Sequence, residues 1–314
     1  MNGRRLLLIM LGLILLSGCS VADSEATTIR VGLLPILDAL PIHAADSLGY
    51  FEAEGITVEM VPVASGPERD QLMQSGQIDA MINELVSVMF FNQTETEVVA
   101  VRFARTASEE TPLFTILAAP ESSVEDPDDL AGVEIAVSEA TVIEYTTERM
   151  LQAAGLSDDE IVTLAVPKIP DRLNLLIAGQ LQAAALPEPA VSVAVLNGAS
   201  IVLDDTLIPD LSSSLITFDA DFVSSHPEAV RGFLRAVERA VSEINANPDS
   251  WGELLIARNL LAPDLVDIII LPTYPEAGVP NETTYADALR WALAKGYLET
   301  ELAYSSCVTD AYLP

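Results

Sequence analysis

Cysteine is almost absent from this sequence: its 314 residues contain two, Cys19 and Cys307. Cys19 follows an N-terminal export segment, so Cys307 alone remains for the rest of the chain, and no disulfide is expected there. The fold must therefore depend on its hydrophobic core. A lone Cys307, with no histidine partner in view, is more typical of a small buried apolar residue than of a nucleophile.

Basic residues are also scarce. The chain has 15 Lys and Arg against 47 Asp and Glu, a net charge of −32. Nucleic acid and anionic lipid headgroups repel such a surface, so neither is expected as a partner. The acidic residues themselves are interpreted mainly as solubilising groups and as residues at helix starts, where a carboxylate stabilises the positive end of the helix dipole.

The long apolar run at the N-terminus is too short to cross a membrane. It extends from Leu6 to Leu16 after Arg4 and Arg5, whereas a spanning helix needs about 20 apolar residues. This pattern predicts an export signal over residues 1–18. The segment "LSGC" at its end resembles the lipobox of bacterial lipoproteins, which implies that Cys19 is diacylated and anchors the chain to the membrane. Residues 19–27 would be the tether, and an ordinary signal peptide with a chance cysteine remains the alternative.

Beyond residue 28, short apolar strands alternate with helical periods, which predicts an α/β fold with mostly parallel sheets. The rhythm breaks at the polar segment "PESSVEDPDDLAG" near residue 118 and again at "TLIPDLSSS". We expect lobe 2 to comprise residues 118–210, inserted between the two parts of lobe 1, 28–117 and 211–314. Two doubly wound lobes joined by two crossing strands would leave a ligand cleft between them.

The segment "SGPERDQLMQSG" predicts a helix with a well-formed start. Ser65 is placed to cap the helix, Glu68 to reach back toward its first residues, and Pro67 to occupy the first turn. Strand-like segments flank this helix, so its N-terminus would lie at the carboxyl edge of a sheet. The pattern indicates either a ligand site or a cap and nothing more.

Several segments, taken in order, resemble a known family. They are "VGLLPILDALPIHAADSLGYFEAEGITVEMVP", "SGQIDAMI", "DPDDLAGVEIAVSEATVIEY", "GQLQAAALPEPA" and "ALRWALAKGYLE". Together they are similar to the solute-binding lipoproteins of the nitrate, sulfonate and thiamine-pyrimidine-precursor group of ABC transporters. The resemblance implies a type II periplasmic-binding fold, a small-molecule ligand, and an ABC permease with its ATPase as the partner. A monomer without cofactor or metal is expected.

The resemblance also implies which loops face the cleft. The predicted ligand-binding positions are Pro35, Asp38, Leu40, Ser65, Gly66, Glu68, Arg69, Asn83, Glu84, Arg105, Ser138, Thr141, Tyr145 and Glu188. Each also has a structural interpretation: Asp38 as a turn residue, Glu84 as a cap of the next helix, and Tyr145 as a packing residue of its own helix.

Two ligand chemistries are open. Carboxylates at Asp38, Glu84 and Glu188 favour a cation or the N–H edge of a heterocycle, so a vitamin-like or pyrimidine-type heterocycle is favoured. Arg69 and Arg105 favour an alkyl sulfonate or a similar anion, because a guanidinium near a helix N-terminus binds such groups well.

An enzyme is the less favoured class. The fold group that the chain resembles includes enzymes that build the thiamine pyrimidine, and His43 lies near the predicted cleft. The sequence contains no GxSxG or HExxH motif and no phosphate-binding glycine loop with lysine. We therefore expect no catalytic residues. A tethered sensor would use the same binding chemistry as a transport protein, and the sequence does not separate these two functions.

Overall fold

The computed structural model describes residues 26–108 and 110–314. Its strands are β1 (Thr27–Leu33), β2 (Ile56–Pro62), β3 (Ala80–Asn83), β4 (Val98–Thr106), β5 (Phe114–Ala118), β6 (Glu134–Val137), β7 (Val162–Ala165), β8 (Ala183–Pro187), β9 (Ser200–Asp204) and β10 (Ser213–Asp219). Its α-helices are α1 (Leu40–Ser47), α2 (Tyr50–Ala53), α3 (Gly66–Gln74), α4 (Leu85–Phe91), α5 (Val142–Ala153), α6 (Ile169–Ile177), α7 (Ala190–Leu196), α8 (Ala220–Ser225), α9 (Pro227–Ala246), α10 (Gly252–Ala257), α11 (Glu282–Ala294) and α12 (Tyr304–Cys307).

The strands form two five-stranded sheets, which confirms the predicted α/β class, but each sheet is mixed, whereas mostly parallel sheets are predicted from the sequence. The first sheet has the order β2-β1-β3-β10-β4 and the second has the order β7-β6-β8-β5-β9. In the first, β1 pairs in parallel with β2 and β3, while β10 is antiparallel to β3 and β4. In the second, β6 is parallel to β7 and β8, while β5 is antiparallel to β8 and β9.

The chain passes between the sheets twice, through residues 107–113 and 205–212. The predicted start of the second lobe at residue 118 placed "LFTILA" in the first lobe, whereas β5 pairs with β8 and β9 of the second sheet. The composition of an apolar strand does not indicate which sheet it joins, whereas the polar segment that follows it is a visible change, so the sequence predicts the boundary one strand too late. The predicted return strand at "LITFDADFVSSH" is β10, which pairs with β3 and β4 of the first sheet.

Helix α9 shows why the C-terminal part of the chain covers the first sheet. Its buried residues recur at helical spacing, from Ala229 and Val230 through Phe233 and Val237 to Ile244, and this apolar stripe packs against α1 and α2. Helix α5 has two packed faces: Ile143 joins the core of the second lobe, whereas Tyr145 joins the cluster around α4 and α11 of the first. The two lobes therefore share a helix contact as well as the crossing segments.

The predicted signal segment, with Cys19 and residues 20–25 of the tether, lies outside the described residues. Thr27, assigned to the tether from the sequence, begins β1. Within residues 26–108 and 110–314, no helix combines the length and the apolar character that a membrane crossing requires.

Candidate functional site

A narrow cavity of about 70 Å³ lies between the two lobes at the carboxyl ends of the parallel strands. Ligands of open α/β sheets bind in this crevice, because loops and helix N-termini converge there. From the first lobe the cavity is lined by Leu34, Ile36, Asp38, Gly66, Arg69, Ile82, Asn83, Glu84 and Ser214; from the second it is lined by Phe114, Ser138, Thr141, Val142, Ile143, Pro167, Ile169 and Pro187. We call this space the inner cavity.

The two walls approach closely where α3 faces α5. A Cβ atom added to Gly66 would lie 3.8 Å from Cγ2 of Thr141, an ordinary van der Waals distance. A side chain larger than a methyl group at position 66 would therefore meet the opposite lobe.

The predicted start of α3 is confirmed, with one difference. The Ser65 side chain accepts a hydrogen bond from the N–H of Glu68 at 3.3 Å. The Glu68 carboxylate reaches back one residue further than expected and accepts from the N–H of Ala64 at 2.9 Å. These bonds fix the turn that places Gly66 on the wall of the inner cavity.

Arg69 lines the inner cavity, but its donors are already engaged. Its Nε donates to Asp70 at 2.8 Å, Nη1 donates to the carbonyl oxygen of Ile82 at 3.0 Å, and Nη2 donates to Ser87 Oγ at 3.2 Å. The charge of Arg69 is balanced by Asp70, whose Oδ1 lies 2.7 Å from Nη2. Arg69 therefore acts first as a brace between α3 and α4.

Glu84 both caps a helix and faces the inner cavity. Its Oε2 accepts hydrogen bonds from the N–H groups of Val86 at 2.7 Å and Ser87 at 3.1 Å, at the start of α4. Its buried Oε1 has no partner in the structure. Burial raises the pKa of Glu84 to about 7, against the opposing effect of the nearby Arg69 charge. Near neutral pH the carboxyl group therefore exists in both protonation states.

Asp38 is the second buried carboxylate of the inner cavity. Its Oδ1 lies 3.5 Å from Nη1 of Arg105, and no directed hydrogen bond joins these two atoms. Arg105 does not line the inner cavity; it lies behind Asp38 and donates from Nη2 to the carbonyl oxygen of Pro112 at 2.5 Å. Ser214, which pairs with Arg105 in the sheet, also presents a buried Oγ without a partner.

The remaining polar groups of the wall are occupied by each other. Asn83 donates to Ser87 Oγ at 3.2 Å and accepts from Thr217. Thr141 accepts from the N–H of Ile143 at 3.1 Å and donates to the carbonyl oxygen of Ser138 at 2.7 Å. These residues give the wall its shape, and the unpartnered side-chain atoms of the inner cavity are on Asp38, Glu84 and Ser214.

Half of the predicted site residues line the inner cavity: Asp38, Gly66, Arg69, Asn83, Glu84, Ser138 and Thr141. Pro35 and Glu68 line a second, neighbouring cavity. Leu40, Ser65 and Arg105 are buried close to the site without lining the inner cavity.

Two predicted site residues have other contacts. The Tyr145 hydroxyl donates to Asp287 Oδ1 at 2.8 Å, and its ring packs edge-on against Trp291 with centroids 5.4 Å apart. Glu188 accepts from the N–H and Oγ of Ser192 at 3.2 and 3.0 Å, and burial raises its pKa. Neither residue lines the inner cavity.

The apolar residues of the cavity wall are not among those predicted from the sequence. Leu34, Ile36, Ile82, Phe114, Val142, Ile143, Pro167, Ile169 and Pro187 line the inner cavity beside Ser214. Most of them neighbour predicted site residues at strand ends and helix starts, which is the signal that could have found them. Phe114 and Ser214 lie where the chain passes between the sheets, and that signal depends on knowing the boundary.

The arrangement has the features of a small-molecule site. A mostly apolar cavity with a few convergent polar groups is typical of small-molecule sites. Within the described residues, no histidine, cysteine or lysine lines the inner cavity. Oδ1 of Asp38 and Oε1 of Glu84 make no directed hydrogen bond in the structure, and both atoms can accept one when the carboxyl group is ionised.

Known proteins resemble this chain in sequence. The profile of the NMT1/THI5-like family matches residues 37–250. A putative ABC transporter periplasmic binding protein of Brachyspira hyodysenteriae is 24% identical in an alignment of 259 positions that covers 78% of this chain and 74% of that protein.

Solved structures show the periplasmic-binding fold. The alkanesulfonate-binding protein SsuA of Xanthomonas axonopodis pv. citri, solved with bound MOPS, superposes with a TM-score of 0.76 at 19% identity, over 91% of this chain and 99% of that one. The desulfurization enzyme DSZB superposes with a TM-score of 0.64 at 15% identity, over 91% of this chain and 97% of that one. Structural likeness alone therefore does not separate binding from catalysis.

Proposed function

From the premise that this chain belongs to the NMT1/THI5-like family, we propose that it is an extracytoplasmic solute-binding protein. It captures a small organic solute between its lobes and delivers it to an ABC permease driven by an ATPase. Lipid on Cys19 holds it at the outer face of the bacterial cell membrane. The relative from Brachyspira, a putative periplasmic binding protein of an ABC transporter, supports this class.

One observation supports a vitamin-like or pyrimidine-type heterocycle as the favoured ligand. Oε1 of Glu84 is buried on the inner cavity without a partner, and Oδ1 of Asp38, which faces Arg105 at 3.5 Å, accepts no directed hydrogen bond. A buried acceptor without a donor is costly, by about 1–3 kcal/mol, so a ligand that supplies donors binds favourably. The amino and ring N–H groups of a heterocycle supply them, and the apolar walls pack on its flat faces.

An alkyl sulfonate or a similar anion is the second candidate. The N-terminal residues of α3 and α5, Gly66 and Val142, line the inner cavity, and helix N-termini favour negative charge. The structural neighbour SsuA is an alkanesulfonate-binding protein. Against this ligand, Arg69 is paired with Asp70, and the ionised form of the buried Glu84 repels an anion.

A thiamine-pyrimidine-synthase-like enzyme and a tethered sensor are the alternative classes. His43, the residue on which catalysis would depend, does not line the inner cavity and is turned toward the neighbouring one. If the wild type turns over a substrate and His43→Ala does not, the protein is an enzyme. Loss of solute uptake on deletion of the gene supports transport over sensing.

Calorimetric titration of the chain from residue 20 onward tests the ligand class. We expect 4-aminopyrimidine to bind and ethanesulfonate not to bind. Asp38→Asn should weaken 4-aminopyrimidine binding by about 10-fold or more, because a hydrogen bond to a charged group is worth about 1.5–3 kcal/mol. The matched control, Asp128→Asn, changes an exposed acid of the second lobe and should bind as the wild type does. Binding of ethanesulfonate without 4-aminopyrimidine would transfer the assignment to anions.

A further inference from the structure

A second cavity adjoins the inner cavity and is larger. We call it the side chamber; it has a volume of about 470 Å³. It is lined by Leu33, Leu34, Pro35, His43, Met60, Pro62, Val63, Ala64, Glu68, Pro170, Arg258, Asn259 and Leu260. Pro170 belongs to the second lobe, so the side chamber also lies between the lobes.

The two cavities are continuous in their lining. Leu34 lines both of them. Ile169 lines the inner cavity, and the next residue, Pro170, lines the side chamber. Similarly, Gly66 lines the inner cavity, and Glu68, two residues later, lines the side chamber. The side chamber therefore adjoins the inner cavity along this shared lining.

The volumes bear on the size of the ligand. The inner cavity has a volume of about 70 Å³, so it encloses a compact group rather than a long molecule. Sites for organic ligands typically measure about 300–1,000 Å³. The side chamber, at about 470 Å³, falls in this range without the inner cavity being counted. The inner cavity suits the polar end of a ligand, and the rest of such a ligand needs the side chamber.

The charged groups of the side chamber are satisfied without a ligand. Arg258 donates from Nη2 to Asp46 at 2.6 Å, and the Glu68 carboxylate accepts from the N–H of Ala64 at 2.9 Å. Most other side chains of the lining are apolar. The side chamber therefore suits an uncharged, largely apolar group.

His43 supplies one polar contact in this apolar setting. Its side chain is 8% exposed, and the buried Nδ1 has no hydrogen-bond partner. Burial, with a smaller effect from the positive charge of Arg258, lowers its pKa to about 4. The ring is neutral at pH 7 and offers one donor and one acceptor to a polar atom of the bound group.

We propose that the ligand is elongated, with a hydrogen-bond-donating head in the inner cavity and an uncharged apolar tail in the side chamber, where one polar atom of the tail bonds to His43. This inference rests on the proposed binding function and specifies the second half of its ligand. The side chamber, including Met60, Val63 and Leu260, then contributes most of the apolar burial on binding.

A homologous series of probes tests the tail. Calorimetric titration would compare 4-aminopyrimidine with derivatives that carry 5-alkyl chains from methyl to hexyl. Each methylene buried in the side chamber should tighten binding by about threefold to fourfold until the chamber is filled. In Ala64→Phe the added ring occupies the chamber, so the gain per methylene should vanish while unsubstituted 4-aminopyrimidine binds as before.

Two controls accompany this series. Ala131→Phe makes the same change at an exposed turn of the second lobe and should keep the wild-type gain per methylene. Met60→Trp is a second blocking variant, used if Ala64→Phe has a lowered Tm. In His43→Phe, the preference for a 5-hydroxyalkyl chain over the alkyl chain of equal length should be lost.

The outcomes separate the tail from the head. If 4-aminopyrimidine binds and longer chains give no gain in the wild type, the side chamber is not a ligand subsite and the inference is wrong, while the proposed function stands. If 4-aminopyrimidine does not bind, the proposed head is wrong, and a series of 1-alkanesulfonates decides about the tail. A gain per methylene that Ala64→Phe removes would support the tail, and a flat series would overturn it.

Discussion

Nη1 of Arg105 lies 3.5 Å from Oδ1 of Asp38, and the two side chains are 2% and 3% exposed. Arg105 belongs to β4, which leads into the first crossing segment, and Asp38 belongs to the turn after β1. The guanidinium balances the charge of the carboxylate without forming a directed hydrogen bond to it. Asp38 is therefore buried beside a compensating positive charge and is still able to accept a hydrogen bond from a ligand.

Replacement of Arg105 should lower stability strongly. In Arg105→Met the buried Asp38 carboxylate loses its compensating charge, and the loss of one partner of a buried pair costs about 3–5 kcal/mol. Urea unfolding measures the free energy of unfolding. Glu228→Gln is the control: Glu228 pairs with Arg231 at 3.7 Å on the surface and is 84% exposed, so its loss should change stability by less than about 0.5 kcal/mol. A loss below about 1 kcal/mol in Arg105→Met would refute the buried pair.

Glu84→Gln should stabilise the unliganded protein at alkaline pH. The folded state raises the pKa of Glu84 from 4.5 to about 7, so it binds this proton more tightly than the unfolded state does. The contribution of this group to stability therefore falls as pH rises from about 4.5 to about 7. Glutamine keeps an oxygen for the cap of α4 and has no charge to desolvate, which Glu84→Ala would not achieve.

The measurement is Tm by calorimetry at pH 5 and pH 8. At pH 8 the Tm of Glu84→Gln should exceed that of the wild type by about 2–4 °C or more, since 1 kcal/mol of stability corresponds to a shift of this size. At pH 5 the difference in Tm should be smaller. An equal difference at both pH values would show that Glu84 titrates normally in the folded protein.

Tyr145→Phe should affect stability and leave binding unchanged. The variant loses the hydrogen bond to the Asp287 carboxylate at 2.8 Å, a contact worth about 1.5–3 kcal/mol. Because Tyr145 does not line the inner cavity, the affinity for 4-aminopyrimidine should stay within about twofold of wild type, well under the tenfold that 1.4 kcal/mol would give. Tyr50→Phe, which keeps the ring beneath Arg239, is the control. A tenfold loss of affinity in Tyr145→Phe would return this residue to the site.

The sequence predicts the fold well because its signals are local. Ser65, Pro67 and Glu68 determine the start of α3. Gly76 ends the helix in a left-handed conformation with φ of 67°. Cys307, predicted as a small buried apolar residue, is fully buried. By contrast, the membership of β5 in the second sheet depends on pairing across the chain, which the apolar run "LFTILA" does not encode by itself.

The candidate site is predicted only in part for the same reason. Asp38 and Glu84 follow strands, and that position alone places them at the carboxyl edge of a sheet. Tyr145 sits on the helix that follows a cleft turn, but its side chain points to α11, a neighbour more than 130 residues away in sequence. For Glu84 both predicted positions occur together: Oε2 caps α4, and Oε1 is buried without a partner in a residue that lines the inner cavity.

Native mass spectrometry of the protein purified from its own host tests the central claim most directly. The claim is that the two lobes hold a small hydrogen-bond-donating molecule at Asp38 and Glu84. We predict that the wild type and the control Asp128→Asn carry a noncovalent small molecule with amino or N–H groups. The double variant Asp38→Asn with Glu84→Gln should be purified without it. Retention of the molecule by the double variant at the wild-type level would contradict the account.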